Sequence, residues 1–313
     1  MFEGKRVGVV VPAHDEEALI AATIQGVPPL VDRIFVVDDA SSDRTAERAL
    51  EAGDGRVEVI SHDRRGGVGA AVLSGYRRAL EDGLDVVAVL NGDNQMDPAD
   101  LPTLVEAVAR GEVDYAKANR LFTGQAWQLI PKTRYLGNAV LSMLTKIASG
   151  YWHVADSQSG YTVISRGMLE RLDLDRIYAN YGFPNDMLVH LNVWNARVRD
   201  FPSRPIYGVG ERSKMRYRHV VPRIAWLLVR GFFWRLWEKY VKRDFHPLVF
   251  FYVLGLVATA AGVLLGLVVV GYRIAGNSIP IATVVLVALL VLSGLQFTLF
   301  AMWFDMESNK DLR

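Results

Sequence analysis

The sequence predicts an α/β domain built on a largely parallel sheet, followed by two membrane-spanning helices. Two observations carry the prediction. Short apolar runs alternate with helical stretches through the first hundred residues, and each run ends abruptly in polar residues. Further on, residues 248–271 and 279–304 carry no formal charge, and at about 1.5 Å per residue each is long enough for a ~30 Å hydrocarbon core.

The first strand is expected over residues 6–11, nearly continuously apolar as a strand buried on both faces is, and it breaks at Pro12, Ala13, His14, Asp15 and Glu16 before a helical stretch to Val27. Residues 33–37 repeat the pattern and deliver Asp38 and Asp39. Ser41 or Ser42 is then placed to cap a helix that runs to Ala52 and stops at Gly53. A third strand, 57–61, leads into Arg64-Arg65-Gly66-Gly67-Val68-Gly69 and a helix over 70–82. Three glycines ahead of a helix either let backbone N–H groups approach an anion or form a tight turn.

The fourth strand, 86–90, ends in Asn91-Gly92-Asp93-Asn94-Gln95. In an extended chain Asn91, Asp93 and Gln95 point the same way. Their oxygens suit a hard divalent cation such as Mg2+ or Mn2+, completed by water and phosphate; a polar strand-to-helix turn is the alternative. Asp97-Pro98 reads as an N-cap and a first helical residue. Ligands of open α/β sheets bind at the carboxyl ends of strands, where all these clusters fall.

Composition narrows the classes. A net charge of +1 argues against a nucleic-acid partner. The absence of cysteine excludes disulfides, Cys-ligated zinc and thiol catalysis. The amino-terminal apolar run is cut by Pro12, His14 and Asp15, so it does not read as a signal peptide. Lys239, Lys242 and Arg243 precede the first span, and Lys310 and Arg313 follow the second, against Arg273 alone in the connection. That asymmetry predicts a multi-pass protein of the cell (inner or plasma) membrane with both ends and the α/β domain on the cytoplasmic side. Ala258, Gly262 and Gly266 let another helix approach the first span, either the second span or another subunit, so a homo-oligomer is compatible.

Taken in order, Val10-Val11-Pro12-Ala13-His14-Asp15-Glu16-Glu17, Val36-Val37-Asp38-Asp39-Ala40-Ser41-Ser42-Asp43, Gly67-Val68-Gly69-Ala70-Ala71 and Asn91-Gly92-Asp93-Asn94-Gln95 resemble the motif series of family 2 inverting glycosyltransferases. With the membrane hairpin, the resemblance narrows to the polyprenyl-phosphate (dolichyl-phosphate type) group. It implies a GT-A type, Rossmann-like domain over 1–217, juxtamembrane interfacial helices over 218–246, a two-helix hairpin over 247–304 and a cytoplasmic tail over 305–313. It further implies metal-dependent transfer, with inversion, of a sugar from a UDP- or GDP-linked donor to a polyprenyl phosphate in the bilayer.

The resemblance places Pro12, Ala13, His14 and Glu16, with Asp38 or Asp39, in the nucleotide pocket. Asp93 and Gln95, with Asn91, fall at the metal, and Arg120 near the diphosphate. Asn91 stands where the family usually has the first aspartate of Asp-x-Asp, and His14 where tyrosine is frequent. Asp156-Ser157-Gln158-Ser159-Gly160 resembles a segment shaping the acceptor side, and Asp186 falls where members carry an acid; helix capping through Asn185 is its alternative. Arg212 and Lys214 resemble the basic loop over the diphosphate; Arg216 and Arg218, which follow, suit the same loop or anionic lipid headgroups. Asp93, Asp156 and Asp186 are the candidate catalytic acids.

Two stretches bear on the acceptor. Leu136, Val140, Met143, Leu144 and Ile147 form one face of a helix, which either packs on the core or lines a lipid cleft. Val229, Phe233, Leu236, Trp237 and Tyr240 take one side of a helix within 222–243, with Glu238, Lys239 and Lys242 on the other, as in a helix lying in the membrane interface. A sugar or glycolipid hydroxyl as acceptor would need Asp156 or Asp186 as base. A non-catalytic nucleotide-sugar binding protein is the alternative that Asn91 leaves open.

Overall fold

The computed structural model describes residues 1–121, 132–204, 206 and 217–313. The chain divides into two compact units, Met1–Phe233 with Asp311–Arg313, and Trp234–Lys310.

In the first unit β1 (Val7–Ala13), α1 (Ile20–Gly26), β2 (Arg33–Asp38), α2 (Thr45–Ala52), β3 (Val57–Ser61), α3 (Val68–Glu81), β4 (Val86–Val89) and α4 (Leu101–Ala109) follow the expected alternation. Then come β5 (Tyr115–Asn119), α5 (Lys132–Ser149), β6 (Thr162–Ser165), α6 (Phe183–Val193) and β7 (Val198–Pro202). The seven strands form one sheet in the order β3-β2-β1-β4-β6-β5-β7. β1, β2, β3 and β4 pair parallel, as do β5 and β7, whereas β6 runs antiparallel between β4 and β5. This is a GT-A-like mixed sheet. The order reverses about β1, which makes the edge beyond β1, β2 and β4 a topological switch point.

Alternation along the strands explains why the central runs read as continuously apolar. Val10, Phe35, Val37, Val87 and Val89 join one core cluster, with Tyr76 of α3 and Leu188 of α6. Val9, Val11, Ile34, Val36 and Ala88 join the other, with Ile24 of α1 and Leu104 of α4. Both faces of the sheet are therefore covered.

Two local expectations change. The carboxylate of Asp43, rather than Ser41 or Ser42, receives the amide of Thr45 at the start of α2, at 3.0 Å. Beyond Gly92 the chain does not stay extended: Asn94 has φ of 54° and the Gln95 amide folds back on Asp93 Oδ1 at 3.2 Å. The alternation argument for Asn91, Asp93 and Gln95 therefore fails; they belong to a turn. Asp97 does cap, accepting the Ala99 amide at 2.9 Å.

Helix α7 (Tyr217–Trp237) belongs to the first unit as far as Phe233. Its Ile224 and Leu228 are buried, while Trp226, Val229 and Phe233 are exposed. In the second unit the chain continues as a π-helical turn, Glu238–Arg243, then α8 (Leu248–Ile274) and α9 (Ile281–Ser308). Both long helices are apolar enough to cross a membrane. Gly262 of the notional small-residue stripe faces the second span, where a Cβ would meet Leu290 Cβ at 2.9 Å. Gly255 and Gly294, not anticipated, also pack the two spans together, a Cβ on either lying 2.9 Å from the other's carbonyl oxygen.

Lys239 and Tyr240 do not lie on opposite faces, one wet and one apolar. Both are buried, together with Arg235, in a polar network on the end of α9. Arg235 donates to both oxygens of Asp305 at 2.8 and 2.9 Å, Tyr240 donates to Asp305 at 2.7 Å, and Lys239 donates to Asn309 at 2.7 Å. The π-helical widening supplies the reason: it rotates Lys239 and Tyr240 out of the 3.6-residue register on which the sequence pattern relied.

Candidate functional site

The first two polar clusters are stitched to one another. Asp38 pairs with Ala13 across the parallel ladder, and the Asp39 amide donates to the Ala13 carbonyl at 2.8 Å. His14 Nδ1 meets the Asp39 carbonyl at 2.9 Å. Asp15, at φ of 51°, accepts the Ser42 amide at 2.8 Å, and the Glu16 amide donates to Thr45 Oγ1 at 2.8 Å. Asp38 itself accepts from the amide and hydroxyl of Ser41. These bonds fix the loop carrying His14 and Glu16 against the loop carrying Asp38 and Asp39.

The glycine loop holds an anion, but it is the protein's own. Asp39 accepts the amides of Gly66 and Gly67 at 2.7 Å each and faces His62 Nδ1 at 2.9 Å. Burial would raise the Asp39 carboxyl; the two amides and His62 bring it below its ordinary value. Gly67 has φ of 97°, and a Cβ at Gly69 would lie 2.7 Å from the Tyr178 carbonyl oxygen. The loop is thus a tight turn pressed against residues 178–180, whose Ala179 carbonyl accepts the Ala70 amide at 2.9 Å. Asp186 supports that segment by accepting the Tyr178 amide at 2.8 Å. It stands in the first turn of α6, whose N-cap is Gly182 and not Asn185, and is buried, with its carboxyl pushed up to about 6 by desolvation. Its neighbour His190, 3.6 Å away, is pushed down to about 4, also by burial, and is neutral at pH 7.

At the end of β4 the ladder persists to the Gly92 amide, which donates to the Pro12 carbonyl at 3.1 Å. Thr23 of α1, buried, donates to the Gly92 carbonyl at 3.3 Å. Pro12 and Ala13 therefore link β1 to β4 and β2 through their carbonyls, and residues 12–16, 38–39 and 91–95 meet at one place on the sheet edge. Among the described residues no cluster of three or more His, Asp or Glu side chains is placed to hold a metal ion. The turn after β4 carries one carboxylate, Asp93, beside the amide side chains of Asn91 and Gln95 in sequence. Such a donor set fits Mg2+ or Mn2+ as a weak site completed by phosphate oxygens and water.

Arg120 follows β5 and clasps Asp156: Nε to Oδ2 at 2.7 Å, Nη2 to Oδ1 at 3.1 Å, and its own amide to Oδ2 at 3.2 Å. Asp156 is 3% exposed and Arg120 30%. Burial would raise the Asp156 carboxyl, but the charge and hydrogen bonds of Arg120, with Lys117, hold it below the usual range. A Cβ at Gly160 would lie 3.5 Å from Asn91 Oδ1, so the 156–160 segment bridges the Arg120 pair and the end of β4. Arg212, Lys214 and Arg216 lie outside the described residues.

Sequence reasoning missed Lys117 and Asp200. Lys117 sits mid-strand, where alternation calls for a core residue, and is fully buried; a lone Lys in an apolar run was the available signal. It also missed the polarity of α5, which is inside out. Ser142 and Thr145 are buried against Ser157 and Asn185, with Ser142 Oγ 3.2 Å from Ser157 Oγ and Asn185 Nδ2 2.7 Å from Thr145 Oγ1. Val140, Met143 and Leu144 are exposed. Core packing is therefore not their role, because hydroxyls already fill the inward face; the side chain of Leu136 lies outside the described residues.

Comparison with known proteins agrees with the fold. A solved structure of glucosyl-3-phosphoglycerate synthase from Mycobacterium tuberculosis, in complex with Mg2+ and uridine diphosphate, superposes with a TM-score of 0.55 at 21% identity, over 74% of this chain and 79% of that one. That likeness speaks to the fold. A UDP-N-acetylglucosamine–dolichyl-phosphate N-acetylglucosaminyltransferase of Methanococcus voltae is 26% identical over 218 residues, 65% of this chain and 86% of that protein. A polyprenol monophosphomannose synthase of Mycolicibacterium smegmatis is 30% identical over 242 residues, 72% of this chain and 88% of that protein. Residues 8–173, more than half of the chain, match the family model of glycosyl transferase family 2, and the chain belongs to that family.

Proposed function

We propose that this glycosyltransferase is a membrane-anchored hexosyltransferase that moves a sugar, with inversion, from a UDP- or GDP-linked donor to a polyprenyl phosphate at the cytoplasmic face. The observation that carries the acceptor class is the state of the two candidate bases. Asp156 has both oxygens taken by Arg120, and Asp186 is buried with the Tyr178 amide on one oxygen. A hydroxyl acceptor needs a positioned base, worth about 10²–10⁴-fold. A phosphate monoester, with a second pKa of about 6, is already mostly dianionic at pH 7 and supplies its own nucleophile. The names of the M. voltae and M. smegmatis relatives support the same acceptor.

The loops bearing Pro12, His14, Glu16, Asp38 and Asp39 take the nucleotide, and Arg120, anchored by Asp156, meets the diphosphate together with Arg212 and Lys214. Asp93, with Asn91 and Gln95, would hold Mg2+ or Mn2+, which when bound neutralises charge on the departing nucleoside diphosphate. The lipid phosphate oxygen attacks the anomeric carbon in line, the bond to the diphosphate oxygen breaks, and the basic groups stabilise the leaving charge. The exposed apolar residues of α5 and of α7 up to Phe233 suit a lipid surface, as the two apolar helices suit a bilayer.

The raised carboxyl of Asp186 favours the competing reading, a hydroxyl acceptor with Asp186 as base. Asp186→Asn separates them, because asparagine still accepts the Tyr178 amide. Transfer to polyprenyl phosphate is expected to stay within about threefold of wild type; a loss of about 10²-fold or more would favour the hydroxyl acceptor. Mn2+ titration followed by electron paramagnetic resonance tests the metal site: weak binding alone, tightened by nucleoside diphosphate, and no tightening in Asp93→Ala.

A further inference from the structure

Behind Arg120 lies a group of buried charges that the chemistry above does not use. Lys117 is 0% exposed, and its Nζ donates to the Ser159 carbonyl at 2.7 Å. It pairs across the ladder with Asp200 of β7, so the two side chains leave the same face of the sheet. Asp200 Oδ2 accepts the Ala155 amide at 2.7 Å, and its buried Oδ1 has no hydrogen-bond partner among the described residues. Residues 155–159 are thus fastened at three points: Ala155 by Asp200, Asp156 by Arg120 and Ser159 by Lys117.

A buried ammonium is costly unless it is paired. Asp156 and Asp200 both act on Lys117, opposing the burial that pulls its ammonium down to about 8. Reciprocally, Lys117 is among the groups that keep Asp156 ionised and ready to hold Arg120. An apolar residue would fill the same volume in β5 at lower cost, so packing does not account for a lysine here.

We propose that Lys117 is a positioning residue for the donor diphosphate. It holds the 155–159 segment and the charge of Asp156 so that Arg120 stays aimed at the phosphates, a role that depends on Arg120 meeting the diphosphate as proposed above. Without the lysine, Asp156 and Asp200 face each other with no cation between them and the Ser159 carbonyl loses its donor. The segment then shifts, and Arg120 with it.

Calorimetric titration of the full chain in detergent, with UDP, GDP, UMP and GMP as probes, tests this. For the base that wild type binds, Lys117→Met is expected to weaken the diphosphate about tenfold, the scale of one charge-assisted hydrogen bond, and the monophosphate by no more than about twofold. Arg120→Gln should show the same selectivity, and the double variant should be no worse than either single one, because both remove one interaction. Should Lys117→Met fold poorly, Lys117→Met with Asp200→Asn removes a cation and a carboxylate together and is read in the same way. Selective loss in Arg120→Gln with equal or no loss for both nucleotides in Lys117→Met would overturn the role of Lys117 and leave that of Arg120. Absence of selectivity in Arg120→Gln would overturn both.

Discussion

Arg120 with Asp156 in the first unit, and Arg235 with Asp305 in the second, are both two-pronged arginine–carboxylate pairs: side-on through Nε and Nη2 at 2.7 and 3.1 Å in one, end-on through Nη1 and Nη2 at 2.8 and 2.9 Å in the other. Their surroundings are opposite. Arg120 keeps 30% of its side chain exposed over a carboxylate at 3%, whereas Arg235 and Asp305 are both at 0%. A fully buried pair, with Tyr240 donating to the same carboxylate, is a joint whose energy is spent inside the fold. The Arg120 pair differs in that its arginine side chain stays partly in water. Similar bidentate pairs thus differ in exposure, and under the function proposed above the closed one serves structure while the open one serves ligand binding.

The largest effect should come from breaking the closed pair. Asp305→Ala leaves Arg235 buried without its carboxylate, and a loss of about 3–5 kcal/mol is expected, read as a steep fall in the thermal midpoint in detergent. A fall no larger than that of Arg120→Gln would erase the distinction. Arg120→Gln should cost less stability, because the side chain is partly in water and Lys117 still faces Asp156; its main consequence should be weaker nucleoside diphosphate binding.

A smaller effect concerns pH. The folded Asp186 carboxyl, near 6, lies above its unfolded value of 3.8, so the folded state binds the extra proton between those limits. Stability is therefore lost as pH rises through that window, and the penalty is complete above about pH 6. Asp186→Asn should raise stability at pH 7, by an amount on the order of 1–3 kcal/mol, and the two proteins should converge near pH 4. Parallel curves from pH 4 to 7 would mean that Asp186 is not the group responsible.

The parts of the fold that were legible in the sequence are those where local pattern and tertiary demand coincide. Parallel strands buried on both faces give continuous apolar runs, and Asp97 before Pro98 gives a cap, because each depends on near neighbours alone. Strand β6 was not legible: four residues, Thr162–Ser165, inserted antiparallel by long-range pairing, leave no period to read. Candidate site residues were legible as polar breaks at strand ends, but not what holds them. That Asp39 would take the glycine-loop amides, or that Asn94 would turn the chain at Asp93, depends on contacts between segments far apart in sequence. Lys117 was hidden by the opposite effect, a charge placed where the pattern predicts a core side chain. The π-helical turn at Glu238–Arg243 likewise breaks the period that would turn Lys239 toward water.

The most direct test of the central claim is mass spectrometry of extracted lipid after incubating the purified protein with polyprenyl phosphate, Mg2+ or Mn2+, and pooled UDP- and GDP-sugars, beside a parallel reaction containing the unphosphorylated polyprenol. A new glycosyl phosphoryl lipid in the first reaction, and none in the second, is the predicted result. Product from the polyprenol, or no lipid product from a sample that demonstrably binds nucleotide, would contradict it.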